Sequence, residues 1–164
     1  MNILALCTQY DLQTSWFLNA LEDISDEESN IRISSNLNPI KWVAGHLLNS
    51  RYIIVNILTG RPRNEFYYSL FKRGSSNVIN NTYPSILEIK EDWINISQTL
   101  MFALRNASEE SLLSPSPFPT TNSDGTILGL VAYFGIHEDF HIGQLSVLRK
   151  LIGKEAMLMN ARES

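Results

Sequence analysis

The chain is poor in the residues that staple small proteins: among 164 residues it has one cysteine, Cys7, and only three histidines. A lone cysteine makes no intrachain disulfide, which fits a reducing compartment. No run of about 18 apolar residues occurs, so no membrane-spanning helix is expected. The start, Met1-Asn2-Ile3-Leu4-Ala5-Leu6-Cys7, lacks a basic residue, and its apolar run is too short for a secretory leader. A cytoplasmic protein is the expectation. Basic blocks are missing too. With 13 Lys and Arg against 17 Asp and Glu, the formal charge is −4. Nucleic acid and anionic membrane are therefore not expected partners. There is no internal repeat, no strand-like alternation, and no Ser/His/Asp, Cys/His or phosphate-loop motif. No residue is marked as catalytic by such a pattern.

What is present suits one globular domain over 1–164, with 44% hydrophobic and 18% charged residues. A chain of this length buries a core without a structural metal. A metal bound here would therefore serve function before folding.

Four stretches have helical periodicity. The first spans about 2–24: Ile3, Tyr10, Phe17 and Ile24 recur at seven, with Cys7, Thr14 and Leu21 between them. Residues 25–38 read as a connection. The second helix is expected over 39–59, with Asn38 as N-cap, Pro39 in the first turn and Gly60 as the stop. Its stripe is Ile40, Val43, Leu47, Ile54 and Leu58. A long connection, 61–84, holds Phe66, Tyr67, Tyr68, Leu70 and Phe71, and so many aromatics should pack over one end of the helices. The third helix is expected over 85–107, opened by a capping box of Ser85 and Glu88. Residues 108–125 read as loop. The fourth helix, about 126–152, carries Leu130, Phe134, His137, His141, Leu145, Leu148 and Ile152 on one face. Gly129, Gly135 and Gly143 interrupt it, each costing about 1 kcal/mol relative to Ala. They imply close helix approach or a later start near Gly135. The tail 154–164 reads as a short helix or a frayed end. The fold class is all-α, a four-helix bundle with long crossing loops.

His137 and His141 lie one helical turn apart on the same side. The spacing alone also suits two hydrogen-bonded helix histidines. Both, however, replace apolar residues in the inner stripe, where an unpartnered imidazole costs about 1–3 kcal/mol. A shared metal satisfies both. His46 is also mid-helix among apolar residues, and Gly45 beside it lets another helix come near. Three imidazoles leave a metal position open, as in catalytic zinc sites, and imidazole also suits nickel, copper and iron. Trp42 and Gln144, each one turn from a histidine, can wall the pocket or orient groups around a metal, or simply serve core and surface. Glu138 and Asp139 are rotated off the histidine face and read as solvated or as outer groups. Asn49 and Ser50, one turn after His46, are weaker candidates for substrate contact.

The segment Asn38-Pro39-Ile40-Lys41-Trp42-Val43-Ala44-Gly45-His46-Leu47 resembles the second-helix signature of the DinB-like (DinB/YfiT) superfamily. Gly135-Ile136-His137-Glu138-Asp139-Phe140-His141-Ile142-Gly143-Gln144-Leu145 is similar to its fourth-helix signature, and Tyr83-Pro84-Ser85 to the start of its third helix. The resemblance covers nearly the whole chain, with all three histidines at ligand positions. It implies an up-up-down-down four-helix bundle with a divalent metal, zinc or nickel foremost, held by His46, His137 and His141. It also implies a homodimer and a small-molecule substrate. Members include thiol-dependent transferases, so a low-molecular-weight thiol is an implied cosubstrate. The functional expectation is a metal-dependent transferase or hydrolase. The alternatives are a non-catalytic metal- or ligand-binding, stress-related protein, or a bundle that keeps its histidines only as core polar groups.

Overall fold

A computed structural model describes residues 3–75, 83–118 and 124–158. Among them the secondary structure is entirely helical, with one isolated bridge between Pro115 and Thr126. Four long helices carry the fold: α1 (Ile3–Ala20), α3 (Ile40–Thr59), α5 (Ile86–Asn106) and α7 (Ile127–Leu151). Three short ones lie in the connections: α2 (Asp26–Ser29), α4 (Glu65–Phe71) and α6 (Glu109–Leu113). The helix α1 packs on α5 and α7, and α3 packs on the same two. The core between them holds Tyr10, Phe17, Leu47, Ile54, Ile89, Trp93, Leu100, Leu130 and Leu145. No described helix is long and apolar enough to cross a membrane.

The helix boundaries differ from the periodic stripes for local reasons. The expected first helix stops at Ala20, although Leu21 and Ile24 remain buried. Asp23 adopts a left-handed φ of 57°, and the guanidinium of Arg149 donates to the carbonyls of Asn19, Ala20 and Glu22. These carbonyls have no partner within the helix, and a cation at a helix C-terminus satisfies them. Within 25–38, Ser25 and Glu28 form a second capping box that opens α2. Asp26 accepts from Lys41 Nζ at 2.7 Å and from the Ile86 amide at 2.9 Å, tying α2 to α3 and α5. Pro39, with ψ 157°, is itself the N-cap of α3, and no side chain caps that end. The expected cap at Asn38 is therefore corrected by one residue. Gly60 ends α3 in the left-handed conformation, and Ser85 and Glu88 cap α5 as expected. The loop expected over 108–125 contains α6. The fourth helix runs unbroken from its Thr126 cap, so the later start is not realised. Residues 154–158 are not helical, and 159–164 lie outside the described residues, as does Asn2.

The glycines of α7 are not equivalent. A Cβ at Gly135 would stand 3.0 Å from the Gln9 side chain on α1, whereas Gly143 faces open space. Close approach accounts for the first and not for the second. The aromatic connection packs largely within the chain: Tyr67 and Phe71 are buried, and Tyr52, Tyr67, Phe71 and Tyr83 stack in succession at 5.0–5.8 Å. Phe66 stays half exposed.

Candidate metal centre

The three histidines meet between α3 and α7. His46 Nε2 lies 3.2 Å from His137 Nε2, and one ring nitrogen from each of His46, His137 and His141 falls within 4.8 Å of the others. The edge of a tetrahedron with metal–nitrogen bonds of about 2.0–2.1 Å is about 3.3 Å, so the cluster is already near ligand spacing.

His46 is oriented from its own helix and from α4. Trp42, one turn earlier, stacks on it at 4.9 Å with an interplanar angle of 10°. Its Nδ1 stands 2.7 Å from the backbone oxygen of Phe71, the last residue of α4. Last-turn carbonyls have no helical partner and are free to accept. Phe71 reaches this position because residue 45 is glycine: a Cβ there would sit 2.4 Å from the Phe71 ring. His141 Nδ1 stands 2.7 Å from Gln144 Oε1. Both contacts assign Nδ1–H as donor, because a carbonyl oxygen only accepts. The Nε2 atoms of His46 and His141 are thereby left as lone pairs. His137 brings its Nε2 to the same point, while its buried Nδ1 has no hydrogen-bond partner among the described residues.

Burial holds all three imidazoles below their ordinary pKa. Desolvation lowers His46, opposed by its bond to the Phe71 carbonyl. Desolvation lowers His141, opposed by Gln144. His137 is lowered to about 3, by burial first and then by the neighbouring His141 and His46. Neutral imidazole is the ligating form. The cluster is thus a set of neutral imidazoles with ring nitrogens close together, which suits a cation. The residues present fit a divalent metal with three nitrogen donors.

The histidines line a cavity of about 700 Å³ together with Trp42, Asn49, Ser50, Tyr68, Lys72, Arg73 and Phe140. Its walls come from α3, α7 and the 61–84 connection. From the 109–125 connection no described residue reaches it. Gln144 does not line this cavity but an adjacent groove with Asn38, Val43 and Val147. Its carbonyl oxygen faces His141 Nδ1.

One expectation is corrected, for Glu138, while Asp139 is exposed as expected. Glu138 is not solvated: it is fully buried, and both carboxylate oxygens accept from Arg51 Nε and Nη2 at 3.0 and 2.9 Å. Burial pushes its carboxyl up, and the guanidinium pulls it back. Arg51 also donates to Thr14, Ser97 and the Tyr10 carbonyl, and lies 3.6 Å over the Trp93 ring. Asp139 turns toward α1, accepting from Gln9 and Gln13 at 3.0 and 2.8 Å. Sequence reasoning missed Arg51. The only signal was a charged residue inside the apolar stripe of α3. It also missed Phe71, whose role is played by its backbone.

The described fold is helical and converges three histidines from two long helices, a donor set compatible with a metal. The family model of the DinB superfamily matches residues 9–145, and the chain belongs to that superfamily. No curated protein sequence matches it significantly.

Proposed function

We propose that His46, His137 and His141 hold a divalent cation, zinc or nickel, and that this four-helix bundle is a metal-dependent transferase or hydrolase acting on a small molecule. The observation that carries the reading is the pair of Nδ1–H donors, to Phe71 and Gln144, that leaves two Nε2 lone pairs aimed at a third imidazole. A metal bound there supplies Lewis acidity and lowers the pKa of a coordinated water or thiol. The chain's own part is to orient. Phe71 and Gln144 hold the tautomers, Trp42 backs the His46 ring, and apolar walls limit water. No carboxylate and no cysteine line the cavity, and Cys7 is buried on α1. With no thiol of the chain at the site, a low-molecular-weight thiol is the natural external nucleophile for such a metal. The lack of a carboxylate base among the described lining residues supports a second reading, a non-catalytic metal- and ligand-binding protein.

Two measurements test this. Untagged protein loaded with zinc or nickel and desalted is expected to retain about one ion per chain, and retention of none overturns the metal reading. Conjugation of bacillithiol, glutathione or cysteine to electrophiles is expected to stop with chelator. Inactivity with every thiol, with metal retained, favours the binding protein.

We also propose a homodimer. The aromatic connection is largely covered by its own chain and offers no such face. The outer face of α7 does: Ile136, Phe140, Val147 and Leu151 are 55–67% exposed. Their order is symmetric about Gly143 and Gln144, so a second α7 crossing antiparallel pairs Ile136 with the partner's Leu151 and Phe140 with the partner's Val147, as a two-fold interface requires. Light scattering at tens of micromolar is expected to give twice the chain mass, and Val147→Glu to halve it. A wild-type monomer overturns the proposal.

A further inference from the structure

The chain is acidic overall, yet the charged side chains lining the histidine cavity are Lys72 and Arg73, with no carboxylate among them. The acidic residues nearest in sequence to the histidines are turned away: Glu138 is locked to Arg51, and Asp139 to Gln9 and Gln13. Lys72 and Arg73 directly follow Phe71, whose carbonyl holds His46. They are thus placed beside the centre by the same contact that orients it. Neither forms an ion pair among the described residues; Lys72 Nζ lies 5.6 Å over the Tyr68 ring.

A second observation points to a ligand. Asn49, one turn after His46 and 2% exposed, lines the same cavity, and its Oδ1 has no hydrogen-bond partner among the described residues. Buried amides are ordinarily satisfied, so an orphan on a cavity wall marks a place for a bound polar group. Its two ends are interchangeable by rotation, and the NH₂ end donates to a carboxylate.

We propose that the cavity selects small organic anions, with Lys72 and Arg73 facing a carboxylate of the ligand and the Asn49 amide donating to that carboxylate, while the ligand's metal-seeking atom meets the histidines. This rests on the metal-centre reading for the last contact only. The charge selection belongs to the chain's own residues. Negative charge on the ligand is attracted to two cations that have no ion-pair partner among the described residues, and a cationic ligand of equal size is repelled.

The test uses the full-length protein loaded with cobalt(II), with binding read from the visible absorption bands of the metal. Three probes are titrated: mercaptoacetate, 2-mercaptoethanol and 2-aminoethanethiol. Their thiols differ in acidity, so the quantity compared is, for each probe, the Kd ratio of Lys72→Glu/Arg73→Glu to wild type. Both residues are exposed, and circular dichroism checks the fold. The expected ratio is on the order of tenfold for mercaptoacetate, near one for 2-mercaptoethanol and below one for 2-aminoethanethiol, with the first shrinking at high salt. Equal ratios for all three overturn the proposal. A parallel arm needs no metal: phenylacetate, and not benzylamine, is expected to shift the Asn49 side-chain amide in ¹H–¹⁵N spectra of the metal-free protein. Absent cobalt bands together with that shift would sink the metal reading and keep the anion reading. No shift, or the same shift with both probes, overturns it.

Discussion

Two polar clusters sit one residue apart on α7 and differ in kind. Glu138 faces Arg51, and the pair is fully buried with its hydrogen bonds made inside the protein. His137, its neighbour, faces two other imidazoles, is half-buried, and keeps a nitrogen without a partner. The first cluster is complete as it stands. The second groups like with like, and a cation is the partner that can take a lone pair from all three imidazoles at once. Neighbouring buried polar groups therefore separate into structure and function by whether the chain satisfies them.

The contrast is broken most severely from the structural side. Glu138→Ala strands the Arg51 guanidinium in the core, and urea denaturation is expected to show a loss of about 3–5 kcal/mol. The paired replacement Arg51→Met/Glu138→Leu should recover most of that loss, because no charge is then left alone. If the single change cost under 1 kcal/mol, the pair would not be the buried clamp described. On the functional side, His141→Ala should lower zinc affinity by more than about 100-fold, roughly 2.7 kcal/mol, measured by chelator competition. Metal-free stability should barely change.

A smaller effect joins the two regions. Gly45→Ala forces a methyl into the Phe71 ring, so about 1–3 kcal/mol of stability should be lost, with weaker metal binding as the Phe71 carbonyl moves off His46. Unchanged affinity would uncouple Phe71 from the centre. Gln144→Ala removes only the acceptor on His141 Nδ1, and about 10- to 100-fold in metal affinity should go with it.

The mildest test is pH. The folded metal-free chain keeps His137 unprotonated down to about 3, whereas the unfolded chain takes that proton near 6.5. Between these values the unfolded state binds more protons, so stability contributed by this group is present above about pH 6.5 and is lost as pH falls toward 3. The His137→Ala variant lacks this group, so its stability should depend less on pH in that window, and the difference isolates the histidine from the carboxylates. Identical profiles would remove the burial argument.

Much of this was legible in the chain itself. The capping box at Ser85 and Glu88, the stop at Gly60 and the inner stripe of α7 follow from local chemistry, since caps and periodicity involve residues within a few positions of one another. So does the pairing of His137 with His141, because one helical turn places them together. His46 was nominated by its place among apolar residues beside Gly45, and the family signatures agree. What residues could not declare is what distant groups do to each other. Leu21 and Ile24 continue the stripe of α1, but Arg149 ends the helix from 129 residues away. Glu138 looked solvated by rotation alone, and it is buried because Arg51, on another helix, meets it. The tautomer of His46 is set by a backbone oxygen of Phe71 admitted by the missing side chain of Gly45. Short-range backbone and side-chain preferences determined the elements and nominated the ligands. Only packing between helices, where burial makes each polar atom find a partner or go without, decided which polar residues hold the fold and which await a ligand.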